Sequence, residues 1–443
     1  MPRQLTERVF RALDARLERD IDRPVALALS GGGDSMALLD LTCAWARMRG
    51  RRVLALTVDH QLNPDSADWG RRAGTAARAA GADWRGLAWT GPKPTTGLPA
   101  AAREARHRLL AEAAREAGAR VVLTGHTADD VAEGDWMRER GSTLGTLRDW
   151  SPSPVWPEGR GLMLLRPMLG ETRTGLRAHL AAEGLDWIED PANADSRFAR
   201  SRARSALADV RSQPTLSLPP RGGGSLPLPL GEGVFQVDRA AGGLALAAAL
   251  VCAGGGQRTP RGERIEAIRA RLAAGEDFDS ALAGARLTAR GDGVFVHRNP
   301  GEYARRALPE LVLDQGVEAL FDGRLGITVD EAGWRAVPAA GRMAALSDTD
   351  RAVLNRLPAA ARGAAPVLIR DGDPRPVLAA RVTTVVDRAA RRLNMALDQT
   401  PHERDLMRAT NGAGAWDGLS SFRTHSDRPP SRRPHTEAAN EPA

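Results

Sequence analysis

The chain has 443 residues, of which 42% are hydrophobic and 26% are charged, an ordinary balance for a globular protein. This length is enough for two or three domains, each with its own core. No uninterrupted apolar run reaches the ~18 residues of a membrane span, and the amphipathic, acid-bearing N-terminus is not typical of a secretory signal. We therefore expect a cytoplasmic protein that does not contact a membrane.

The formal net charge is +7, and the basic residues are almost all arginine, with Lys93 as the sole lysine. An excess of positive charge favours a polyanionic partner such as nucleic acid. Alternatively, arginine simply replaces lysine in the protein of a GC-rich genome. Composition alone leaves both interpretations open.

The two cysteines, Cys43 and Cys252, lie far apart in apolar stretches. This spacing excludes a disulfide framework, a CxxC redox pair and a cysteine-based zinc site.

The first 210 residues alternate short apolar runs with amphipathic helical patterns. Strands are predicted at Val25–Leu29, Val53–Val58 and Val121–Thr124. Helices are predicted at Met36–Met48, Ser66–Ala80 and Pro99–Ala117. This alternation is typical of an α/β domain with a doubly wound parallel sheet, to which we assign residues 1–210.

The composition changes after this domain. Residues 211–234, including SQPTLSLPPRGGGSLPLPLGEG at Ser212–Gly233, are rich in Pro, Gly, Ser and Leu. We expect a linker or insertion there, without regular structure. Two smaller α+β units are predicted at 235–312 and 313–409. Residues 410–443 are polar with Pro and Arg, and we expect them to be disordered.

The patterns within these smaller units also predict individual elements. A helix is expected at Gly262–Gly275, and two strands are expected within Ser280–Arg298, joined at Gly291-Asp292-Gly293. Further predictions are short strands over Gly316–Ala340, a hairpin over Ala365–Ala380 and a helix over Thr383–Leu397.

The turn after the first strand contains three consecutive glycines, within SGGGDS at Ser30–Ser35. Consecutive glycines cost conformational entropy unless the backbone must be approached closely. A strand, a glycine-rich turn and a helix together direct backbone N–H groups at an anion. Ser30 adds a hydroxyl donor, Ser35 a helix cap or phosphate ligand, and Asp34 a carboxylate that suits Mg²⁺.

Two better-known phosphate loops do not fit this turn. The lysine of GxxxxGK[ST] is absent, and so is the second half of GxGxxG. For the glycines alone, a tight βα turn without a ligand remains the alternative.

SGGGDS resembles the SGGxDS pyrophosphate-binding loop of the N-type ATP pyrophosphatases, the PP-loop superfamily. The resemblance implies an adenine nucleotide alpha hydrolase-like fold and cleavage of ATP between its α and β phosphates to adenylate a carbonyl. The superfamily serves several reactions, so function has to be argued from the rest of the chain.

Four further stretches resemble the tRNA(Ile)-lysidine synthase family, in the same order, from about residue 23 to 206. They are TVDHQLNPDSADW (Thr57–Trp69), AAAREARHRLL (Ala100–Leu110), LTGHTADDVAE (Leu123–Glu133) and LLRPMLGETRTGLRAHLAAEGLDWIEDPANADSRFARSRAR (Leu164–Arg204). A later stretch, AGARLTARGDGVFVHR, resembles the middle of that family less specifically.

Three of these motifs follow predicted strand ends, which converge at the ligand crevice of an open α/β sheet. We therefore expect Ser30–Ser35, Asp59–His60 and Gly125–Glu133 to face one pocket. Carboxylates gathered there would repel one another, so Mg²⁺ or an ammonium substrate is their natural partner. The alternative is a helix-capping acidic cluster on the surface.

The resemblance, together with this placement, implies a set of site residues. The predicted ATP-binding residues are Ser30, Gly31, Gly32, Gly33, Asp34, Ser35, Asp59, His60, Gly125 and His126. Mg²⁺ is assigned to Asp34 and Asp129, lysine to Asp130 and Glu133, and catalysis to Asp34, Asp130 and Arg200. Binding of tRNA is assigned to Arg103, Arg106, Arg202 and Arg204. For His60 and His126, the alternative is a structural role.

The arginine assignments rest on spacing. Arg103 and Arg106 are three residues apart, on one face of a predicted helix. Arg200, Arg202 and Arg204 either alternate along a strand or form a compact basic edge, and a guanidinium suits phosphate. A solvated surface is the alternative for these three.

In the family that the sequence resembles, the substrates are ATP, free L-lysine and the isoleucine tRNA with a CAU anticodon. The carbonyl oxygen of the wobble cytidine attacks the α-phosphate and releases pyrophosphate; the lysine ε-amine then attacks C2 and releases AMP, giving lysidine. The sequence leaves open whether the chain forms a homodimer.

The sequence departs from the family at Thr127, Val131 and Gly134, where the family has His, Gln and Thr. These changes, with the unusual insert, motivate one rival function, a tRNA-binding relative without catalysis. A tRNA 2-thiolase of the same superfamily is a second rival, although sulfur transfer generally needs paired cysteines or a cluster.

Overall fold

The computed structural model describes residues 2–142, 145–189, 199–208, 225–306, 310–370 and 372–408. The tail that we expect to be disordered and residues 211–224 of the predicted linker lie outside these ranges.

A six-stranded sheet forms the centre of the N-terminal domain. Its strands are β1 (Val25–Ala28), β2 (Val53–Asp59), β3 (Asp83–Ala88), β4 (Val121–Leu123), β5 (Trp150–Pro152) and β6 (Met163–Leu165). They lie in the order β3-β2-β1-β4-β6-β5, and every neighbouring pair is parallel except β5 with β6. The strand order reverses at β1, so the ligand crevice is expected at the carboxyl ends of β1 and β4.

Helices cover both faces of this sheet. They are α1 (Pro2–Asp14), α2 (Gly33–Met48), α3 (Ser66–Ala79), α4 (Leu98–Glu116), α5 (Ala128–Glu139), α6 (Arg173–Ala182) and α7 (Ala199–Ala208). Side chains alternate between faces along a strand. Val25 and Leu27 therefore join the core with α1, α2 and α6, whereas Ala26 and Ala28 join the core with α4. The predicted doubly wound α/β fold is confirmed.

The C-terminal half contains three antiparallel sheets. The first, in the order β7-β8-β11-β10-β9, consists of β7 (Leu228–Gly231), β8 (Val234–Gln236), β9 (Phe278–Leu282), β10 (Ala285–Arg290) and β11 (Gly293–Arg298). The second, β12-β15-β16-β17, consists of β12 (Leu311–Leu313), β15 (Trp334–Pro338), β16 (Pro366–Arg370) and β17 (Asp373–Leu378). The third, β13-β14-β18, consists of β13 (Ala319–Phe321), β14 (Leu325–Thr328) and β18 (Thr384–Asp387).

Helices accompany these sheets, as predicted for smaller α+β units. They are α8 (Gly243–Ala253), α9 (Gly262–Ala273), α10 (Gly301–Arg306), α11 (Asp348–Leu354), α12 (Ala379–Val382), α13 (Arg388–Ala396) and α14 (Glu403–Arg408). Single 3₁₀ turns lie at Met343–Ala345 and Arg362–Ala364.

One predicted helix was wrong in its first third. The stretch predicted as a helix over Thr383–Leu397 begins instead with strand β18, which pairs with β14. Its residues Thr-Val-Val are β-branched and fit a strand. The helix starts only after Asp387, whose side chain accepts a hydrogen bond from the Ala390 N–H and caps α13.

One further prediction was wrong, and another, the two strands joined at Gly291-Asp292-Gly293, is confirmed but incomplete. Leu228–Gly231, within the predicted linker, forms an edge strand against β8 with a register irregularity. An edge tolerates its prolines because their missing N–H groups need no partner. The hairpin predicted within Ser280–Arg298 gains a third strand, β9, through a turn at Ala283-Gly284.

The end of the described chain packs back onto the N-terminal domain. Met395 and Leu406 join the core of that domain. Glu403 forms an ion pair with Arg51, with an Nη1–Oε2 distance of 2.9 Å and both side chains fully buried. The Glu403 N–H also donates to the Arg16 carbonyl at 2.8 Å. This contact links the two halves of the chain.

Within the described ranges, no helix combines the length and apolar character needed to cross a membrane.

Replacing Arg51 by Met should lower the free energy of unfolding by about 3–5 kcal/mol, because Glu403 would remain as an uncompensated buried charge. The matched control is Arg52→Gln, whose partner Asp22 is largely exposed, and it should cost less than about 1 kcal/mol. Urea denaturation measures both. A double variant, Arg51→Met with Glu403→Leu, should recover most of the loss. Equal losses for Arg51→Met and Arg52→Gln would contradict this account of the interdomain contact.

Candidate active site

The glycine loop connects β1 to the start of α2. Gly31 has φ +85°, a conformation that side chains other than glycine rarely adopt. A Cβ atom on Gly31 would lie 2.6 Å from Ile188 Cδ1. The Ser35 hydroxyl donates to the Gly32 carbonyl at 2.9 Å and accepts from the Ser30 N–H at 3.2 Å. The loop is thus a preformed turn, and the close approach to Gly31 is made by Ile188.

A cavity of about 820 Å³ opens beside this loop, within the size range of small-molecule sites. Ser30 and Gly32 lie at its wall together with His60 and Arg106. Its apolar lining consists of Leu29, Leu56, Val58, Leu62, Leu98, Leu110 and Ile188. Polar and cationic groups beside an apolar wall suit a ligand with phosphates and a planar ring.

The end of β2 contributes Asp59 and His60. Asp59 Oδ1 accepts a hydrogen bond from the Gln61 N–H at 2.7 Å, so this carboxylate shapes the turn. The His60 ring meets Trp89 edge to face at 6.1 Å. Burial, and then the charge of Arg106, lower the pKa of His60, which keeps the ring neutral.

The end of β4 contributes Gly125 and His126. A Cβ atom on Gly125 would lie 3.1 Å from the carbonyl oxygen of Asp34, so glycine lets the end of β4 approach the start of α2. His126 Nδ1 lies 3.0 Å from the Thr124 hydroxyl. Burial lowers the pKa of His126 to about 3, so this ring interacts as a neutral group.

The four predicted acidic residues gather around one arginine. The Arg173 Nε lies 3.2 Å from Asp34 Oδ2, and its Nη1 lies 3.3 Å from Glu133 Oε1. Its Nη2 lies 3.8 Å from Asp130 Oδ1, and its backbone N–H donates to Asp129 Oδ2 at 2.7 Å. Burial opposes the charge of Arg173, but these carboxylates outweigh it and raise the arginine pKa. We call these five residues the Arg173 cluster.

The Arg173 cluster keeps an excess of negative charge. One more cation contacts it: Arg204 Nε lies 2.7 Å from Glu133 Oε1. Asp34 Oδ1 and Glu133 Oε2 are buried without a hydrogen-bond partner in the described part of the chain. Buried carboxylate oxygens need partners, so this cluster suits an additional cation.

Asp130 also has a structural role. Its Oδ2 accepts hydrogen bonds from the Thr127 N–H at 2.9 Å and the Thr127 hydroxyl at 3.0 Å. This capping box starts α5. Burial opposes ionisation of Asp130, but these hydrogen bonds and the charges beside it outweigh burial and lower its pKa. Thr127, at a position where the sequence departs from the family pattern, is therefore a helix cap.

The single pocket that we expected is divided into two neighbouring sites. Of the predicted ATP-binding residues, Ser30, Gly32 and His60 line the 820 Å³ cavity. The carboxylates of α5 lie instead in the Arg173 cluster. Asp34 contacts this cluster from the first turn of α2, directly after the glycine loop. The start of α2 therefore lies between the two sites. The glycine loop before it borders the cavity, and Asp34 in its first turn belongs to the Arg173 cluster.

No group of three or more His, Cys, Asp or Glu with metal-binding geometry occurs among the residues that the structure describes. Mg²⁺ commonly uses one or two carboxylates together with substrate phosphates. The unpartnered Asp34 Oδ1 fits such a shared site. Asp129 fits it less well, because its Oδ2 already accepts from the Arg173 backbone.

The predicted tRNA-binding arginines lie in different surroundings. Arg106 lines the cavity, and Arg103 is exposed on the same helix, α4. The alternation of Arg200, Arg202 and Arg204 along a strand was wrong, because all three lie on helix α7. A helix separates positions i and i+2 onto different faces, so Arg204 meets Glu133 while Arg202 is exposed. The side chain of Arg200 lies outside the described part of the structure.

Sequence reasoning missed Arg173, Trp187 and Ile188. Arg173 is the first residue of α6, where the sequence ETRTG shows only a Thr172 cap. Trp187 lies 3.5 Å from the Cβ position of Gly33, and the Ile188 N–H donates to the Gly31 carbonyl at 2.9 Å. All three act across long sequence separations, and no spacing signal marks such contacts.

The cysteines have no role at this site. Both are buried, and burial raises the pKa of the Cys43 thiol to about 11 and that of Cys252 to about 12. Thiols of this kind are inert, which argues against sulfur-transfer chemistry at these residues.

Alanine substitutions at two adjacent loop positions should change different properties: the free energy of unfolding in one case and nucleotide binding in the other. Gly31→Ala should lower the free energy of unfolding by about 1–3 kcal/mol, because its φ is positive and Ile188 is close. Gly32 itself has φ −72°, and no neighbouring atom lies within 3.6 Å of the position that the Cβ atom of alanine would occupy. Gly32→Ala should leave stability unchanged and weaken nucleotide binding. Urea denaturation and calorimetric titration with an ATP analogue measure the two effects. A large stability loss for Gly32→Ala would contradict the loop geometry.

The comparisons with known proteins agree with this arrangement. The PP-loop domain family matches residues 5–211. A tRNA(Ile)-lysidine synthase from Caulobacter vibrioides is 47% identical over 377 residues, covering 83% of this chain and 89% of that protein. One from Hyphomonas neptunium is 37% identical over 333 residues, covering 68% of this chain and 90% of that protein. The resemblance seen in the motifs is confirmed, and the chain belongs to the tRNA(Ile)-lysidine synthase family.

Proposed function

We propose that this protein ligates free L-lysine to C2 of the wobble cytidine in isoleucine tRNA with a CAU anticodon. ATP is consumed and AMP and pyrophosphate are released. The observation that carries the proposal is the Arg173 cluster, an electronegative site directly beside a glycine loop and a nucleotide-sized cavity. This arrangement supplies a phosphate site and an ammonium site that share Asp34.

In the first step, the carbonyl oxygen of cytidine attacks the α-phosphorus of ATP, and the bond to the pyrophosphate oxygen breaks. The N–H groups of the glycine loop and the start of α2 are suited to hold the departing phosphates. His60 and His126, both neutral, are assigned to hydrogen bonds with ATP or the reacting base. Positioning and charge neutralisation supply most of the rate acceleration in such a reaction.

Asp34 would hold Mg²⁺ through its unpartnered Oδ1, with phosphate oxygens completing the coordination. When bound, Mg²⁺ neutralises negative charge on the leaving pyrophosphate. Burial, partly offset by Arg173, raises the pKa of Asp34, so this carboxylate depends on its cationic neighbours to remain ionised.

In the second step, the bound ε-ammonium group of lysine releases one proton to water, the neutral amine attacks C2 of the adenylated cytidine, and the C2–O bond breaks as AMP leaves. We assign the ammonium site to Glu133 and Asp130. Glu133 has a buried, unpartnered Oε2, whereas one Asp130 oxygen is used by the helix cap. Asp130, with its lowered pKa, is a weak base and is better suited to stabilising positive charge than to taking a proton.

The tRNA must offer an unstacked wobble base, as single-stranded loops do in RNA recognition. Arg202 and Arg103 are exposed and are assigned to phosphate contacts, with Arg200 assigned to the ATP phosphates. The excess of arginine predicts an affinity that falls steeply with salt. Because its proposed substrate is tRNA, we propose that the protein acts in the cytoplasm.

The decisive assay combines purified protein, ATP, labelled lysine and CAU-anticodon isoleucine tRNA. Lysine should enter the tRNA together with stoichiometric pyrophosphate release, and Asp34→Asn should reduce both by at least about 100-fold, since it removes charge from the phosphate site. Asp68→Asn, at an exposed ion pair, is the control and should retain full activity.

Other outcomes of this assay separate the rival functions. Release of pyrophosphate that depends on tRNA but not on lysine would assign another modification to this PP-loop enzyme. Tight tRNA binding that Asp34→Asn leaves unchanged, without either product, would indicate a binding protein. Both outcomes contradict the ligase.

The pH dependence should report on Arg173. Arg173 lowers the pKa of Asp34 against the effect of burial, so its loss should raise that pKa further. Activity that needs ionised Asp34 falls as pH drops through this pKa. Arg173→Gln should therefore move the acidic limb of the kcat/KM profile to higher pH, and Arg173→Lys should largely restore it. An acidic limb unchanged by Arg173→Gln would contradict the assigned coupling.

A further inference from the structure

A second cavity, of about 220 Å³, lies between the N-terminal domain and helix α13. Six arginines line it: Arg115, Arg120, Arg160, Arg388, Arg391 and Arg392. Trp156 and Met395 contribute apolar wall. We call it the arginine cavity. Neither the nucleotide site nor the Arg173 cluster shares a residue with it.

The fold assembles the arginine cavity from distant segments. Arg115 lies at the end of α4 and Arg120 directly before β4, so both lie at the amino ends of the parallel strands. The glycine loop lies at the opposite, carboxyl ends. Arg388, Arg391 and Arg392 occupy positions i, i+3 and i+4 of α13 and therefore share one helix face. In this part of the boundary between the two domains, arginines from both sides therefore face one another.

Few carboxylates compensate these charges. Glu318 accepts hydrogen bonds from Arg388 and lies 3.7 Å from Arg160. Arg115 and Arg120 donate only to carbonyl oxygens in the described chain, at 3.5 Å and 3.3 Å. Arg391 makes no hydrogen bond or ion pair with the other described residues. Arg160 and Arg392 donate to the carbonyl oxygens of Pro157 and Gly256. The donors most available to a ligand are therefore those of Arg115, Arg120 and Arg391.

In the arginine cavity, burial and repulsion between neighbouring guanidinium groups both lower the pKa values of several of the arginines. Burial lowers the pKa of Arg115, and Arg120 and Arg388 lower it further. Burial also lowers the pKa of Arg120 and of Arg391, with Arg388 adding repulsion in both cases. Guanidinium groups nevertheless stay protonated at neutral pH. An anion in the cavity would relieve this unfavourable energy.

Size and charge decide the class of ligand. The cavity is about a quarter of the nucleotide cavity in volume and smaller than the usual range for drug-sized ligands. An RNA stem does not fit inside it. Guanidinium groups match phosphate oxygens through paired hydrogen bonds.

We propose that the arginine cavity is a binding site for a small anion with two or more phosphates, such as inorganic pyrophosphate, that holds α13 against the N-terminal domain. Free pyrophosphate and the polyphosphate end of a nucleotide share this chemistry. A ligand contacting both domains would stabilise their association, because it binds the folded chain and not the unfolded one.

Calorimetric titration of the full chain with pyrophosphate tests the proposal, with the nucleotide site saturated by α,β-methylene-ATP. One pyrophosphate should bind per chain and raise the melting temperature. Arg120→Gln and Arg391→Gln should each weaken this binding by about tenfold or more, since each removes a charged hydrogen-bond donor. Arg356→Gln removes an exposed arginine outside the cavity and should leave the affinity unchanged.

Two further measurements are needed. One tests whether Arg391 acts only by stabilising the fold, and the other tests whether the bound phosphates belong to free pyrophosphate or to a nucleotide. Without pyrophosphate, Arg391→Gln should melt at or above the wild-type temperature, because one repelling charge is removed, and Arg391→Lys should retain binding. If raising ATP well above the concentration that saturates the nucleotide site displaces the pyrophosphate, the natural ligand is a nucleotide; if it does not, the ligand is free pyrophosphate. The proposal is overturned if no pyrophosphate binds beside the saturated nucleotide site, if the cavity variants bind like Arg356→Gln, if Arg391→Gln melts below wild type, or if an anticodon stem-loop RNA displaces the anion.

Discussion

The site depends on one guanidinium group that stands among four carboxylates. Without Arg173, Asp34, Asp129, Asp130 and Glu133 would repel one another in a half-buried environment. The arginine belongs to α6, whereas the carboxylates belong to the starts of α2 and α5, so the same contacts fix three helices around the strand ends. Arg173 therefore serves packing and electrostatics together: it holds the carboxylates in one cluster and opposes the effect of burial on the pKa of Asp34.

The two halves of the site follow from the sheet topology. Strand order reverses at β1, and the glycine loop and the β4 end meet where α2 begins. A phosphate-binding turn and an acidic cluster can then lie side by side without sharing a pocket, with Asp34 contacting both. Such a division suits a reaction in two steps, in which phosphate chemistry precedes attack by an amine. The end of the described chain is held to the N-terminal domain by the buried ion pair between Arg51 and Glu403 of α14.

The sequence predicted the α/β class, the strands of the central sheet and the position of the glycine loop, because each depends on local periodicity and turn chemistry. It also predicted, through the motif at Leu123–Glu133, that several carboxylates would lie beside Asp34, as they do in the Arg173 cluster. It could not identify Arg173 or Ile188, since their roles arise from contacts between segments 40 or more residues apart. The helix predicted at Thr383–Leu397 was wrong for a similar reason: pairing with β14 determines that its first residues form a strand. The three glycines were predicted to make room for a ligand. At Gly31, however, the group that lies close is the side chain of Ile188.

The central claim is that the Arg173 cluster, although it already contains an arginine, binds the ammonium group of lysine through the free oxygen of Glu133. Equilibrium binding of labelled L-lysine tests it most directly, on the full chain saturated with an ATP analogue. The account predicts saturable binding of one lysine per chain that Glu133→Gln abolishes while binding of the ATP analogue is unchanged. Equal lysine affinity in the wild-type chain and in Glu133→Gln would contradict it.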